Sequence, residues 1–234
     1  MSLKEDLEKE VGKIFKEQWN VSKALIVPDP QSLRLSNDAR HFERATVLYA
    51  DLAGSTYLVN NFSWSFAGEV YKSFLTVAAK IVRTSGAEIT AYDGDRIMAL
   101  FTGDNQTTVA AKCGLQINWA VQNIVNPGLK TQYPDRNYLV KQVVGIDTSE
   151  LRAARIGVRG DNDLVWIGRA ANYAAKLTEC RNDYPTWITK EAYQKTHESS
   201  RVGGRDKESM WKEFKWTAMN DIPVYGSNWT WSVN

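Results

Sequence analysis

The residues most suited to chemistry are acids. The run "RATVLYADLAGST" (44–56) reads as a mostly apolar strand that ends on one carboxylate, Asp51, and then turns through small residues. A second carboxylate, Asp95, follows 44 positions later, directly after the turn "YDG" and at the head of "DRIMALF". On neighbouring strands the two would sit at the same edge of a sheet. Two carboxylates in reach of each other repel, and one ordinarily keeps a proton. A divalent cation removes that conflict: Mg²⁺ and Mn²⁺ prefer one or two carboxylates completed by substrate phosphates, and a pair of metals bridged by two Asp suits in-line phosphoryl transfer. Either acid alone reads as a strand end or an ordinary turn residue; the pair carries the argument. A third element, "IGRAANYAAKLTE", holds Asn172 and Lys176 four positions apart, hence on one helix face. An amide beside a cation suits a ribose oxygen and a phosphate, or equally a solvent-facing polar surface.

These residues need a scaffold. Ala45 to Asp51 forms a strand, and residues 56–86 carry one long helical pattern with Val70, Phe74, Val77, Ala78 and Ile81 on a stripe, closed by Gly86. Residues 87–101 read as two strands joined by "DGD". The next helix covers 105–125, with Asn105 as N-cap and Pro127-Gly128 as stop. Residues 137–168 read as a long hairpin plus a further short strand, and 169–180 as a short Ala-rich helix. From Pro185 follow a short strand, a short helix and a Trp-rich hairpin. The order β-α-β-β-α-β is an α+β, ferredoxin-like arrangement: an antiparallel-rich central sheet with helices on one face.

Upstream, Leu3, Leu7, Val11, Ile14 and Phe15 recur at helical spacing among Lys and Glu, giving an amphipathic helix over residues 3–19. It either packs on its own domain or acts as a dimerisation arm. Residues 21–41 read as a connector, so the chain divides into 1–42, helix and connector, and 43–234, the chemical domain. A net charge of +2 argues against non-specific nucleic-acid or membrane binding. Two cysteines are too few for a disulfide framework, and the charged N-terminus lacks the apolar core of a signal peptide, which points to the cytoplasm. With only two histidines, His41 and His197, far apart and in polar contexts, catalysis does not rest on a histidine base.

Taken together, "VLYADLAGST", "GAEITAYDGDRIMALF" and "GRAANYAAKLTE" resemble the first metal motif, the second metal motif and the transition-state helix of class III adenylate/guanylate cyclase catalytic domains. "VVGIDTSELRAARIG" resembles a further strand pair of that family, and the match covers roughly residues 44–230. The resemblance implies two Mg²⁺ or Mn²⁺ ions on Asp51 and Asp95, assisted by the Leu52 backbone carbonyl. It implies that Asn172 orients the ribose and Lys176 neutralises charge on the α-phosphate, where the family usually has Arg. Arg155, Arg159 or Arg169 could supply a missing guanidinium, and Lys215 near the C-terminus could meet the terminal phosphates. It also implies a head-to-tail homodimer with two composite sites, Asn172 and Lys176 acting on the partner's metals.

The departures concern the base. Where purine cyclases carry a base-reading Lys and a second polar reader, this chain has Ala91 and Val165. Such changes resemble the Pycsar anti-phage pyrimidine cyclases, which make cyclic UMP or cyclic CMP as a message read by a separate effector protein. Tyr49, two residues before Asp51, and Arg96 could border the base or ribose pocket. Tyr49 could equally be core packing, and strand alternation points Arg96 away from Asp95. Arg has donors only, which suits the two carbonyl oxygens of uracil and favours UTP over CTP. A purine cyclase with an unusual pocket, and a nucleotide-binding dimerisation module without turnover, remain open.

Overall fold

The computed structural model describes residues 2–180 and 183–233. It opens with helix α1 (Leu3–Lys16), started by a capping box between Ser2 and Glu5. Strand β1 (Asn20–Lys23) pairs in parallel with the first residues of β2 (Asp38–Leu52). The helix expected over 3–19 therefore stops at Lys16. The expected connector holds β1, a 3-10 turn (Pro30–Ser32) and the start of β2, so a division at 42/43 falls inside a strand.

Two helices, α2 (Ser55–Asn61) and α3 (Trp64–Thr84), replace the single one read over 56–86. The break comes at Ser63, which adopts an extended conformation and caps α3 by accepting the Phe66 N–H at 3.4 Å. A hairpin of β3 (Glu88–Asp93) and β4 (Arg96–Phe101) follows. Helix α4 (Gln106–Ala120) has Asn105 before it in the left-handed conformation, without the expected side-chain cap. Nor does Pro127 stop the helix. The chain widens into a π-helical stretch (Val121–Val125) and continues as α5 (Asn126–Gln132), with Pro127 in its first turn, where a missing N–H costs little.

Strands β5 (Gln142–Val158) and β6 (Asp161–Ile167) make one long hairpin, with no further strand before α6 (Arg169–Leu177). After β7 (Thr186–Thr189) and α7 (Lys190–Lys195) come a two-residue ribbon, β8 (Val202–Gly203) with β9 (Glu208–Ser209), and a closing hairpin of β10 (Lys212–Trp216) and β11 (Ile222–Ser227). The sheet order is β10-β11-β7-β5-β2-β4-β3, with β1 beside β2 and β6 beside β5. Among the described residues, only the β1–β2 and β5–β7 pairs are parallel.

Alternation along the central strands divides the core in two. Leu48, Ala50, Ile97 and Ala99 face α3 and α4; Val47, Met98 and Leu100 face Ala170, Ala171 and Ala174 of α6. So α3 and α4 cover one face, as expected, and α6 crosses the opposite one. A glycine lets α6 close on β5: a Cβ on Gly145 would lie 2.1 Å from the Ala174 carbonyl oxygen and 2.8 Å from Leu177 Cβ. Replacing Gly145 with Ala is expected to lift α6 and cost at least about 1–3 kcal/mol, read as a lower urea midpoint. Gly128→Ala in α5, where a Cβ meets nothing within 4 Å, is expected to hold or raise it.

Candidate active site

The register of β2, β4 and β3 builds the floor of the site. Asp51 lies opposite Arg96, and Arg96 opposite Asp93; one pair further in, Tyr49 lies opposite Met98, and Met98 opposite Ala91. Directly paired residues share a face, so these two rows lie side by side on the face that carries α6. Arg96 therefore shares the face of Asp51 and Tyr49. Its guanidinium lies 5.6 Å from the centre of the Tyr49 ring and donates from Nε to Asp93 Oδ2 at 3.2 Å. Tyr49 is partly buried against the α6-side core, and Ala91 is exposed beside a bulge in β3.

Asp95 sits in the turn that starts β4, close enough to act on Asp51. Burial pushes the Asp51 carboxyl up to about 6, the charge of Asp95 adds to the rise, and Arg96 opposes it. Asp95 Oδ2 is buried without a hydrogen-bond partner. One guanidinium thus faces Asp93 and Asp51, while Asp95 beside them keeps one oxygen unanswered. That is the donor chemistry of a hard divalent cation. No cluster of three His, Cys, Asp or Glu exists among the described residues. Asp51 and Asp95 are the carboxylates that could hold such an ion, with phosphate oxygens completing its shell. The Leu52 side chain is buried in the opposite core.

Tyr71 was not anticipated. It projects from α3 to the same edge, near Ser55 at the start of α2; burial raises its pKa, Asp95 and Asp51 add to the rise, and Ser55 opposes it. In the sequence it belongs to a helix recognised only by its apolar stripe; nothing local marks it.

The remaining residues lie elsewhere in the chain. Ala170, Ala171, Ala174 and Leu177 of α6 are buried, which leaves Asn172 and Lys176 exposed on its outer side. Lys176 Nζ comes within 3.9 Å of Met219 Sδ, and among the described residues no ion pair or hydrogen bond joins Asn172 or Lys176 to Asp51 or Asp95. Val165 is exposed on β6 and pairs with Ala154, whereas Asp51 pairs with Val143. Those two points are eleven residues apart along β5, up to about 35 Å of extended strand. Lys215 is exposed on β10, the outermost strand, four strands from β2, or about 19 Å across the sheet.

Two of the arginines offered as phosphate ligands are engaged. Arg155 donates to Asn162 and to the Leu33 carbonyl. Arg169 pairs at 3.0 Å with Asp147, which is fully buried and also held by Thr189; it reaches the Thr148 carbonyl and Glu191 as well. This ties the first residue of α6 to β5. Arg159 stays exposed at the β5–β6 turn. A cavity of about 820 Å³ lies between α3, α4 and the C-terminal segment, lined by Val77, Ile81 and Trp231, and includes none of the acids.

This fold is that of class III nucleotidyl cyclase catalytic domains. The crystal structure of the adenylyl cyclase CyaB from P. aeruginosa superposes with a TM-score of 0.68 at 18% identity, covering 81% of this chain and 95% of that one. The guanylyl cyclase Cya2 gives 0.66 at 17% identity, over 82% and 94%. No protein-family model matches the chain. Full-length relatives do. The uridylate cyclase of Burkholderia cepacia is 50% identical over 100% of both chains, that of Xanthomonas perforans 42% over 100% of both, and that of a Rhodovulum species 31% over 98% and 97%. The chain belongs to the uridylate cyclase family.

Desolvation and like charge burden the Asp51 carboxylate, so Asp51→Asn is expected to hold or raise the urea midpoint of the metal-free protein. A clear fall would show that the Asp51 charge is satisfied by the chain itself.

Proposed function

We propose that the chain converts UTP to 3′,5′-cyclic UMP and pyrophosphate, with Asp51, Asp95 and the Leu52 carbonyl holding two Mg²⁺ or Mn²⁺ ions. The observation that carries this reading is the pair of neighbouring carboxylates with one unpartnered oxygen, set beside the Tyr49 and Arg96 floor. In the reaction the ribose 3′-oxygen attacks the α-phosphorus in line, and the bond to the pyrophosphate oxygen breaks. The ions, when bound, supply Lewis acidity at the 3′-oxygen and countercharge for the triphosphate. The chain does the positioning. Asp51 and Asp95 fix the acidic edge, and Tyr71 stands beside it on α3. Tyr49, clamped under Arg96, walls the base pocket, where small Ala91 offers no purine-reading group. The Arg96 donors favour uracil, with two carbonyl oxygens, over cytosine.

Asn172 and Lys176 act from a second copy in a head-to-tail homodimer. Their exposure supports this, as does the strand length that separates Val165, just ahead of α6, from Asp51 of the same chain. Lys215 would meet the terminal phosphates. The product is a diffusible message, read by a separate effector in defence against phage; the resemblance to the Pycsar cyclases supports that last step.

Each of the four ribonucleoside triphosphates incubated with Mn²⁺ and analysed by mass spectrometry tests the chemistry. Cyclic UMP is expected as the main product; cyclic CMP, a cyclic purine nucleotide or no product would each overturn the assignment to UTP. Asp51→Asn and Asp95→Asn are expected to lose at least about 100-fold in turnover and the rise in melting temperature that Mn²⁺ gives the wild type. Complementation tests the composite site. Asp51→Asn and Asn172→Ala, each inactive alone, are expected on mixing to regain about one quarter of wild-type activity, because half the dimers are mixed and each carries one intact site. No recovery after verified subunit exchange would place both residues in one chain's site.

A further inference from the structure

Two lysines without a carboxylate partner border an apolar cavity. The cavity of about 820 Å³ between α3, α4 and the C-terminal segment takes its walls from Val77, Ile81, Val109, Ile124, Trp231 and Val233. Lys80 and Lys112 also line it, and among the described residues no acid does. Lys112 Nζ lies 4.8 Å from the centre of the Trp231 ring, and among the described residues neither lysine has an ion pair or a hydrogen bond. Hydroxyls of the lining are already engaged. Ser85 donates to the Val82 carbonyl at 2.6 Å, and Thr108 accepts the His197 N–H at 2.8 Å. The wall opposite α3 is fixed as well. The Trp231 N–H donates to the Leu115 carbonyl at 3.1 Å, and Asn118, itself buried, donates to the Trp229 carbonyl at 2.9 Å. The C-terminal segment is thus fastened along α4, and the cavity is already formed, the usual condition of a small-molecule site.

The cavity also has a direction. Phe66, at the start of α3, packs on Tyr133 just beyond α5, with ring centres 5.0 Å apart. Ser85, at the other end of α3, shares the cavity with Thr108 in the first turn of α4. The two helices therefore run antiparallel. Lys80 and Lys112 each stand one turn from the hydroxyl end, and Val77, Ala120 and Ile124 follow towards the other. The helix from Thr108 to Ala120 spans about 18 Å. We propose that this cavity binds a single-chain fatty carboxylate, its head paired with Lys80 and Lys112 and its chain extended towards Ile124. An alkyl chain answers the apolar walls. One anion answers two ammonium groups that such a chain would otherwise leave desolvated and unpaired. Both cations are lysines, point charges without the planar arginine fork that matches phosphate. A cationic or uncharged amphiphile leaves them unanswered. The site lies away from the acidic edge and does not depend on the reaction assigned there.

Calorimetric titration of the full chain with dodecanoate tests this, at two temperatures, without nucleotide and below the micelle concentration. One saturable site per chain is expected, with the negative heat-capacity change that apolar burial brings. A Lys80→Gln, Lys112→Gln double variant is expected to bind about tenfold more weakly. Its urea midpoint should stay close to that of the wild type, since neither lysine holds the fold through an ion pair. Ile124→Glu, at an exposed position, brings an acid to the tail end and should weaken binding with both lysines in place. Dodecyltrimethylammonium has the same chain and the opposite charge, and should bind at least about tenfold more weakly than dodecanoate. Absence of saturable binding at both temperatures would overturn the proposal. So would a lysine variant that binds as the wild type does, or a cationic amphiphile that binds as well as dodecanoate. Dodecyl phosphate binding more tightly than dodecanoate, and lost with the same two lysines, would overturn the carboxylate assignment.

Discussion

Uncompensated negative charge at one end of the central strands sets the terms for the rest of the structure. Asp51, Asp93 and Asp95 converge where β2 ends and β4 begins, with Arg96 as the cation among them, and Arg96 is already engaged by Asp93. The strain shows in Asp51, whose carboxyl rises to about 6 through burial and repulsion. A site of this kind persists only where the surrounding structure holds it in place. Here β2 is flanked on both sides by paired strands, and its Leu48 and Ala50 lock into the α3–α4 core. That rigidity holds the two like charges side by side, where a divalent cation could meet both.

The second constraint is length. β5 spans seventeen residues; its first half lies beside Asp51 and its second half carries β6. Residues at opposite ends of such a strand cannot meet in one chain. Helix α6 does not bridge the gap either. The Arg169–Asp147 pair and the closeness at Gly145 press it onto β5, which turns Asn172 and Lys176 outward. On the proposed reading, that outward-facing pair and the acidic edge are completed by each other across two copies of the chain.

Much of this was legible from residue order, and the failures have identifiable causes. Asp51 and Asp95 stood out because an acid closing an apolar strand is a local signal, and the β-hairpin after α3 places the second acid by turn chemistry alone. Asn105 and Pro127 misled because N-cap and stop rules presume regular helices. Here the chain turns left-handed at Asn105 and relaxes into a π-helical stretch ahead of Pro127. Residues 38–41, with their mixed polarity, looked like connector; they become strand because β1 and β5 supply partners. Tyr71 carried no signal, since its importance lies in what the fold brings to it.

On the proposed reading, base selection works by shape, in place of the usual purine-reading groups. Ala91, Met98 and Tyr49 form a transverse row across three strands, with Arg96 over the Tyr49 ring and Asp93 holding Arg96 from behind. On the proposed reading this clamp serves two ends at once. It fixes a bulky ring where a purine would extend, and it leaves the remaining guanidinium donors near the pyrimidine edge. A free arginine on a strand would lose rotamer freedom on meeting substrate; one already immobilised by Asp93 has lost it beforehand. Asp93, which touches neither metal nor base in this scheme, is thereby the residue that makes Arg96 a reader rather than a floating charge.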